Sequence, residues 1–399
     1  MDSSKKLRLG VIGTCTRGQL SDLAHRPNEG IEVVAGAEPV SRNAESFKKR
    51  HLDKFNHEVK VYPDYRQMIE EEGLDGVFVT APDFLHEEMA CFCLEHKVPV
   101  YLEKPIAISI EGADRILRTA KENRTRLMLG HNMRYMDFTI KMRELVQSGI
   151  IGDVKAIWCR HFVSYGGDAY FQDWHADRTK TCSLLLQKGA HDIDIIHWIA
   201  GSYTKRVNGI GSMAVYAHLP RRKELDPGWI SVSERWSNSR WPAETLKDWN
   251  PVITNEDINM VNLQLANGVQ ACYLQCHFTP DSCRNYTIIG TKGRIENIGD
   301  THEGSTVEVW TRRLGYLRRE GDITYRMPPP GEGHGGADIR IVQDFLDMLR
   351  GKEHTDSTPQ AARYAVAAGV KGAESIRSNG MPQDIPDLDA DLQDYNFAK

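Results

Sequence analysis

Apolar and polar positions follow one rhythm up to about residue 130 and another beyond it. In the first part, short apolar runs at 7–12, 33–38, 76–80, 98–102 and 127–129 are bounded by Gly, Pro or polar residues. Helix-length stretches such as 63–72 and 84–96 lie between them. This alternation predicts βα units and a doubly wound parallel sheet. Runs that are apolar throughout predict strands covered on both faces.

After residue 131 a helix-like run at 137–147 leads to a strand at 154–165 and a helix at 184–200. Longer strand-like runs follow at 207–216, 260–265, 270–277, 286–289, 306–311 and 323–326, with closing helices at 339–349 and 361–378. Turn glycines such as Gly268, Gly290 and Gly293 separate them. The pattern predicts an α+β domain with a large, mostly antiparallel sheet, one face of which carries helices. The expected division is therefore an α/β domain at 1–131, an α+β domain at 132–380 and an acidic tail at 381–399.

Composition narrows the function classes. The chain has 399 residues, 50 Lys and Arg against 55 Asp and Glu, and a net charge of −5. That balance lacks the basic face of a nucleic-acid binder and the polybasic patch of a membrane-surface protein. No apolar run reaches the about 18 residues of a membrane span, and the start is too short and polar for a secretory signal. The 8 cysteines are scattered without a CxxC pair. Cys272, Cys276 and Cys283 fall in strand-like segments, so reduced structural thiols, a cytoplasmic setting and no metal are expected. The segment 218–250 holds Trp229, Trp236, Trp241 and Trp249, four of the 8 tryptophans. It is too long for an ordinary connection and reads either as a functional loop or oligomer contact, or as a satellite core.

The first strand ends in Gly13-Thr14-Cys15-Thr16-Arg17-Gly18, a GxGxxG frame with Cys15 at the middle glycine. After a strand and before a helix-like run, such a turn lets backbone amides approach a pyrophosphate. Glu38 closes the second strand, where an acid grips the adenosine ribose hydroxyls. Arg42 follows and suits a 2′-phosphate; NAD is favoured, with NADP as the alternative.

Thr80-Ala81-Pro82-Asp83-Phe84-Leu85-His86, Glu103-Lys104-Pro105, Gly130-His131-Asn132-Met133-Arg134-Tyr135 and Gly189-Ala190-His191-Asp192-Ile193-Asp194 occur in that order. With the glycine turn they resemble the glucose–fructose oxidoreductase/inositol dehydrogenase (Gfo/Idh/MocA) family over nearly the whole chain. The resemblance implies a Rossmann domain followed by an α+β domain whose open sheet face builds a homodimer or homotetramer. It implies NAD(P)-dependent oxidation of a secondary hydroxyl, or the reverse reduction, on a sugar, glycoside or cyclitol. Thr80, Pro82, His86 and Glu103 join Gly13, Thr14, Cys15, Gly18, Glu38, Arg42 and Lys104 as expected cofactor contacts.

Lys104 follows a parallel strand at its carboxyl end, where ligands bind in doubly wound sheets. Its ammonium there can stabilise negative charge on the reacting oxygen or move a proton. His191 is the second expected catalytic group, since imidazole titrates near working pH. Gln187, His191, Asp194 and Trp198, spaced four, three and four apart, form a polar helix stripe suited to a cleft wall. Gln187 stands where relatives carry aspartate; it can orient the histidine but cannot supply charge. Lys188, about 100° around the helix, is left out of the site. Gln187, Asp194, Asn132, Arg134, Tyr135, Trp174 and Arg178 are expected to contact substrate, and a neutral sugar is the expected ligand. His277 and His334 are weaker candidates for the same cleft. The rival readings are a redox-assisted glycosidase or lyase acting through a transient 3-keto sugar, and a non-catalytic sugar or NAD sensor.

Overall fold

The computed structural model describes residues 6–224 and 241–399. Trp229 and Trp236 lie outside the described residues. The chain divides into two compact units.

The first unit comprises the chain up to Asn132 together with Asp338–Arg363 and Leu388–Lys399. Its six strands are β1 (Leu7–Ile12), β2 (Ile31–Ala37), β3 (Lys60–Tyr62), β4 (Gly76–Val79), β5 (Val100–Leu102) and β6 (Leu127–Leu129). They form one sheet in the order β3-β2-β1-β4-β5-β6, with every pair parallel. Helices α1 (Ser41–Phe55), α2 (Tyr65–Glu71), α3 (His86–Glu95) and α4 (Ile110–Asn123) connect strands. Asp64 caps α2 through the Arg66 amide and Ser109 caps α4 through the Gly112 amide. Strands β4, β5 and β6 are buried at every position, as the unbroken apolar runs predict. The turn after β1 continues into a 3-10 helix, Thr16–Ala24, rather than the expected α-helix.

Residues from the far end of the chain complete this unit. Phe345 packs edge-on to Phe78 and Tyr101, with ring centroids 5.1 and 5.7 Å away. A Cβ on Gly76 would lie 2.8 Å from Leu349, so glycine makes room for that side chain. The Leu127 amide donates to the Phe397 carbonyl at 2.9 Å.

The second unit comprises Met133–Ala337 and Tyr364–Asp387. Its strands are β7 (Val154–Phe162), β8 (Thr204–Ser212), β9 (Ile258–Leu265), β10 (Gln270–Cys276), β11 (Cys283–Gly290), β12 (Arg294–Ile298), β13 (Thr306–Trp310), β14 (Ile323–Arg326) and β15 (Gln383–Asp384). The sheet runs β14-β13-β12-β11-β7-β10-β9-β8-β15. Only the β7–β10 pair is parallel. Strands β3 and β15 span three and two residues, and in β12 the buried Asn297 sits where alternation would put an apolar residue, so none is announced by its sequence.

Helix α5 (Asp137–Gln147) precedes β7, and α6 (Arg178–Thr181), α7 (Leu184–Gln187) and α8 (Gly189–Ala200) follow it. The helix expected at 184–200 is thus two helices, broken at Lys188. The Ser183 hydroxyl caps α7 by accepting from the Leu186 amide at 3.0 Å. A Cβ on Gly189 would lie 2.9 Å from the Tyr273 ring, so α8 starts at a close approach to β10. A separate core gathers Tyr216, Phe171, Tyr170, Leu184 and Trp249. Trp249 is fully buried there while Trp241 is 43% exposed. The satellite-core reading therefore holds for Trp249.

Candidate functional site

In the first unit the polar groups gather just beyond the carboxyl ends of the strands. Gly13 has φ +84°, and its Cβ would lie 2.9 Å from Ala81, so the turn requires glycine. A Cβ on Gly18 would meet the Gly13 carbonyl at 2.2 Å. The Thr80 hydroxyl donates to that same carbonyl at 2.7 Å, tying the β4 loop to the turn. Glu38 is buried and accepts from the Thr14 amide at 3.2 Å and the Val40 amide at 3.1 Å. The expected ribose acid thus also fixes the glycine turn. Arg42 lies exposed at the start of α1, and Cys15 is half-buried at the start of the 3-10 helix.

Lys104 follows β5, with its amide donating to the Glu103 carboxylate at 3.0 Å. Arg17, inside the glycine turn, pairs with Glu103 at 2.6 Å and with Asp338 at 2.8 Å. Asn132 donates to Asp338 at 3.1 Å. Burial opposes the Arg17 charge, but Glu103 and Asp338 hold its pKa well above the ordinary value. A chain of four side chains therefore braces the turn against the Lys104 loop. Sequence reasoning had given Glu103 to the cofactor and Asn132 to the substrate, and had missed Arg17 and Asp338. Both nitrogens of His86 are engaged, Nδ1 with the Pro105 carbonyl at 2.7 Å and Nε2 with the Ala81 carbonyl at 2.8 Å. Its evident work is to join the loops after β4 and β5. Pro82 lies in the same β4 loop, directly before the short helix Asp83–Leu85.

In the second unit His191 and Gln187 are both over nine-tenths buried, on α8 and at the end of α7. Asp194 is 1% exposed and is held by Arg134 through two bonds of 2.7 Å. Arg143 stacks over Trp198 at 4.4 Å on the same helix. Arg134 and Asp194, expected at the substrate, thus clamp the segment before α5 to α8. Tyr135 is buried in that same segment. Trp174 stacks on His175 at 3.6 Å, and Arg178 is exposed and engages Thr254. His334 is exposed, in a run where Gly333, Gly335 and Gly336 also have positive φ.

The inner face of the large sheet carries a polar cluster that sequence reasoning missed. His161 on β7 pairs in register with Gln275 on β10 and Arg284 on β11. Asp192 of α8, fully buried, reaches this row. It lies 3.0 Å from His161, 3.1 Å from Arg284 and 3.1 Å from the Tyr273 hydroxyl, and also accepts from Tyr286. Burial alone would raise the Asp192 carboxyl, but Arg284, His161 and Tyr286 hold it well below the carboxylate range. Burial, then the Arg284 charge, push His161 down to about 3, so it is neutral at neutral pH.

Lys188, excluded on helical geometry, is the clearest correction. With the helix broken there, its side chain is 8% exposed and donates to the Tyr165 hydroxyl at 2.9 Å. It also lies over the Tyr165 and Tyr170 rings at 5.2 and 5.7 Å. Burial works against its ammonium, but the two phenols more than offset that and raise its pKa.

A glycine turn with a buried acid at the end of the next strand defines a dinucleotide-binding domain. The Gfo/Idh/MocA model described as the oxidoreductase family's NAD-binding Rossmann fold matches residues 7–131. The model of that family's C-terminal alpha/beta domain matches residues 143–383. The chain belongs to the Gfo/Idh/MocA oxidoreductase family and carries its NAD-binding Rossmann domain.

Among relatives, the oxidoreductase YteT of Bacillus subtilis is 24% identical over 372 residues, covering 82% of this chain and 81% of its own. Inositol 2-dehydrogenase of Salmonella typhimurium is 28% identical over 222 residues, or 55% of this chain and 60% of its own. Among solved structures, levoglucosan dehydrogenase in complex with NADH and levoglucosan superposes with a TM-score of 0.74 at 18% identity, covering 96% of this chain and all (100%) of that one.

The residues present fit the nucleotide. The turn is held open in backbone by Gly13 and Gly18, and the buried Glu38 carboxylate favours a free ribose diol over a 2′-phosphate. Among the described residues no His, Cys, Asp and Glu cluster has metal-binding geometry, and no helix is long and apolar enough to cross a membrane.

Proposed function

We propose that the protein is an NAD-dependent dehydrogenase acting on a secondary hydroxyl, or the matching ketone, of a sugar, glycoside or cyclitol. The observation that carries this reading is Lys104, held at the carboxyl edge of the parallel sheet by the Glu103–Arg17–Asp338 chain. When bound, NAD supplies the hydride acceptor; Gly13, Thr14, Cys15, Gly18 and Glu38 would hold it, with Thr80, Pro82 and His86 shaping the adjacent loop. Lys104 stabilises negative charge on the reacting oxygen, and His191 takes or gives the hydroxyl proton. Gln187 orients His191, and Tyr135, Trp174 and Arg178 line the substrate side, with Arg134 and Asp194 fixing that wall through their ion pair and Asn132 bracing the loop after β6. Membership of an oxidoreductase family and retention of both Lys104 and His191 favour an enzyme over a sensor. The test is a panel of sugars and cyclitols with NAD, followed at the NADH band, on protein whose copurifying nucleotide has been identified by mass spectrometry. No NADH from any of them would overturn the reading.

A second reading, redox-neutral elimination or hydrolysis through a transient ketone, is favoured by one finding. A glycosyl hydrolase family 109 protein of Akkermansia muciniphila aligns over 96% of this chain at 22% identity. Sugar release without net NADH would select it.

The outer face of the large sheet supports self-association. Trp158 on β7, Ile210 on β8 and Met260 on β9 are 49%, 67% and 47% exposed, and Ile210 pairs directly with Met260. We assign this face to a homodimer or homotetramer. The 8 cysteines, all free, suit a cytoplasmic setting.

A further inference from the structure

The polar end of the inner sheet face in the second unit holds more than the proposed proton chemistry uses. Lys188 is the point of departure. Its buried ammonium has three donors, and its polar partners are two phenols, Tyr165 and Tyr170. Among the described residues it has no carboxylate within ion-pair distance. On the same sheet face, Arg284 is paired with Asp192, and His161 is neutral. Asp257, another buried acid of this unit, accepts from the amides of Ala214, Val215 and Tyr216. The Lys188 ammonium therefore stands without a carboxylate partner, at a place where an unpaired ion is costly. The amino end of α8, which begins at the next residue, adds positive potential.

The Tyr170 ring, 5.7 Å from the Lys188 ammonium, also packs edge-on against His277 at 5.4 Å, and His277 and its neighbours in the sheet carry polar atoms with no partner. Both ring nitrogens of His277, fully buried just past β10, make no hydrogen bond. Nor does Nε2 of Gln275, two residues earlier, or Oδ1 of Asn259, its register partner on β9. Burial, then His161 and Lys188, push the His277 pKa well below the ordinary value. Buried polar atoms are nearly always paired, so unpaired ones gathered at one end of a sheet face mark a place for a polar ligand or ordered water. A structural role for Lys188 would be met by the two phenols and would not explain His277 or Gln275.

We propose that this end of the face is a carboxylate-recognition subsite, with Lys188 as the counter-ion and His277 as a hydrogen-bond partner, and that the substrate is an acidic sugar. The inference rests on the sugar-oxidoreductase reading and deepens it; it replaces the neutral ligand expected from sequence. One ammonium matches a monoanionic carboxylate, whereas a dianionic phosphate would leave one negative charge unmatched.

The test is calorimetric titration of the full chain, loaded with NAD, using glucuronate and galacturonate against glucose and galactose, with glucose 6-phosphate as a third arm. The uronates are expected to bind at least about tenfold tighter than the neutral sugars, the size of one charge-assisted contact. Lys188→Met should erase that preference while neutral-sugar affinity stays within a few-fold, and Lys188→Arg should keep part of it. Equal affinity for uronate and neutral sugar in the unaltered protein overturns the proposal, and so do a preference that survives in Lys188→Met and tighter binding of the phosphate. If Lys188→Met fails to fold, the unaltered protein decides on its own. The two readings fail separately: NADH formation from a neutral sugar with no uronate preference sinks only this one, and uronate preference without NADH sinks only the dehydrogenase.

Discussion

The two sheets use their buried faces differently. In the parallel sheet β4, β5 and β6 are buried at every residue and hold no charged group. Its polar residues, Glu38, Thr80, Glu103 and Lys104, come immediately after strand ends. In the mixed sheet the inward row itself changes character along the strands. It passes from Ile157, Ala271 and Ile288 to His161, Gln275 and Arg284. One sheet is a scaffold that presents loops; the other builds polar groups into its own face.

That contrast sets the ranking of expected effects. The largest follows from removing the centre of the buried cluster. Asp192→Ala strands Arg284 without its counter-ion, and loss of one partner of a buried pair costs about 3–5 kcal/mol. Urea unfolding should show this, and a loss under about 1 kcal/mol would mean the cluster is solvated. Next, Lys104→Ala should lower turnover by about 100-fold while leaving stability nearly unchanged, as for loss of a proton-transfer or oxyanion group. Turnover within a few-fold would remove Lys104 from the chemistry.

A smaller effect is expected at Glu38. Glu38→Ala frees the Thr14 and Val40 amides, so NAD affinity should fall by about tenfold, one charge-assisted contact, while the preference over NADP narrows. Unchanged nucleotide affinity would confine Glu38 to bracing the turn.

The smallest effect is a pH slope. His161 has a folded pKa of about 3, below its unfolded value of about 6.5. Between those values the unfolded chain binds the extra proton, so stability rises with pH across that window and is lost as pH falls through it. His161→Gln should flatten that slope in unfolding midpoints measured from pH 7 to pH 4. An unchanged slope would show that His161 is already protonated in the fold.

The site was readable in the sequence where chemistry follows strand ends. Gly13 to Gly18, Glu38 and Glu103-Lys104 are contiguous residues beside an apolar run, and such loops carry their meaning locally. Arg17 and Asp338 escaped because a salt bridge between residues far apart in the chain has no local signature. The polar inner row escaped for a related reason. Its members, His161, Gln275 and Arg284, are single alternate positions on three strands, and each alone looks like a polar residue facing water.

The sequence by itself determined the class of fold, the nucleotide turn and the identity of Lys104 and His191 as candidates, because periodicity and short motifs depend on neighbours in the chain. It also carried enough of the family's pattern to name the family. Tertiary structure alone decided which polar groups are buried together, since desolvation and pairing depend on distances that cross the chain. Lys188 shows the difference most directly. As a residue on a continuous helix it turned away from the stripe; between α7 and α8 it is a buried cation facing two phenols.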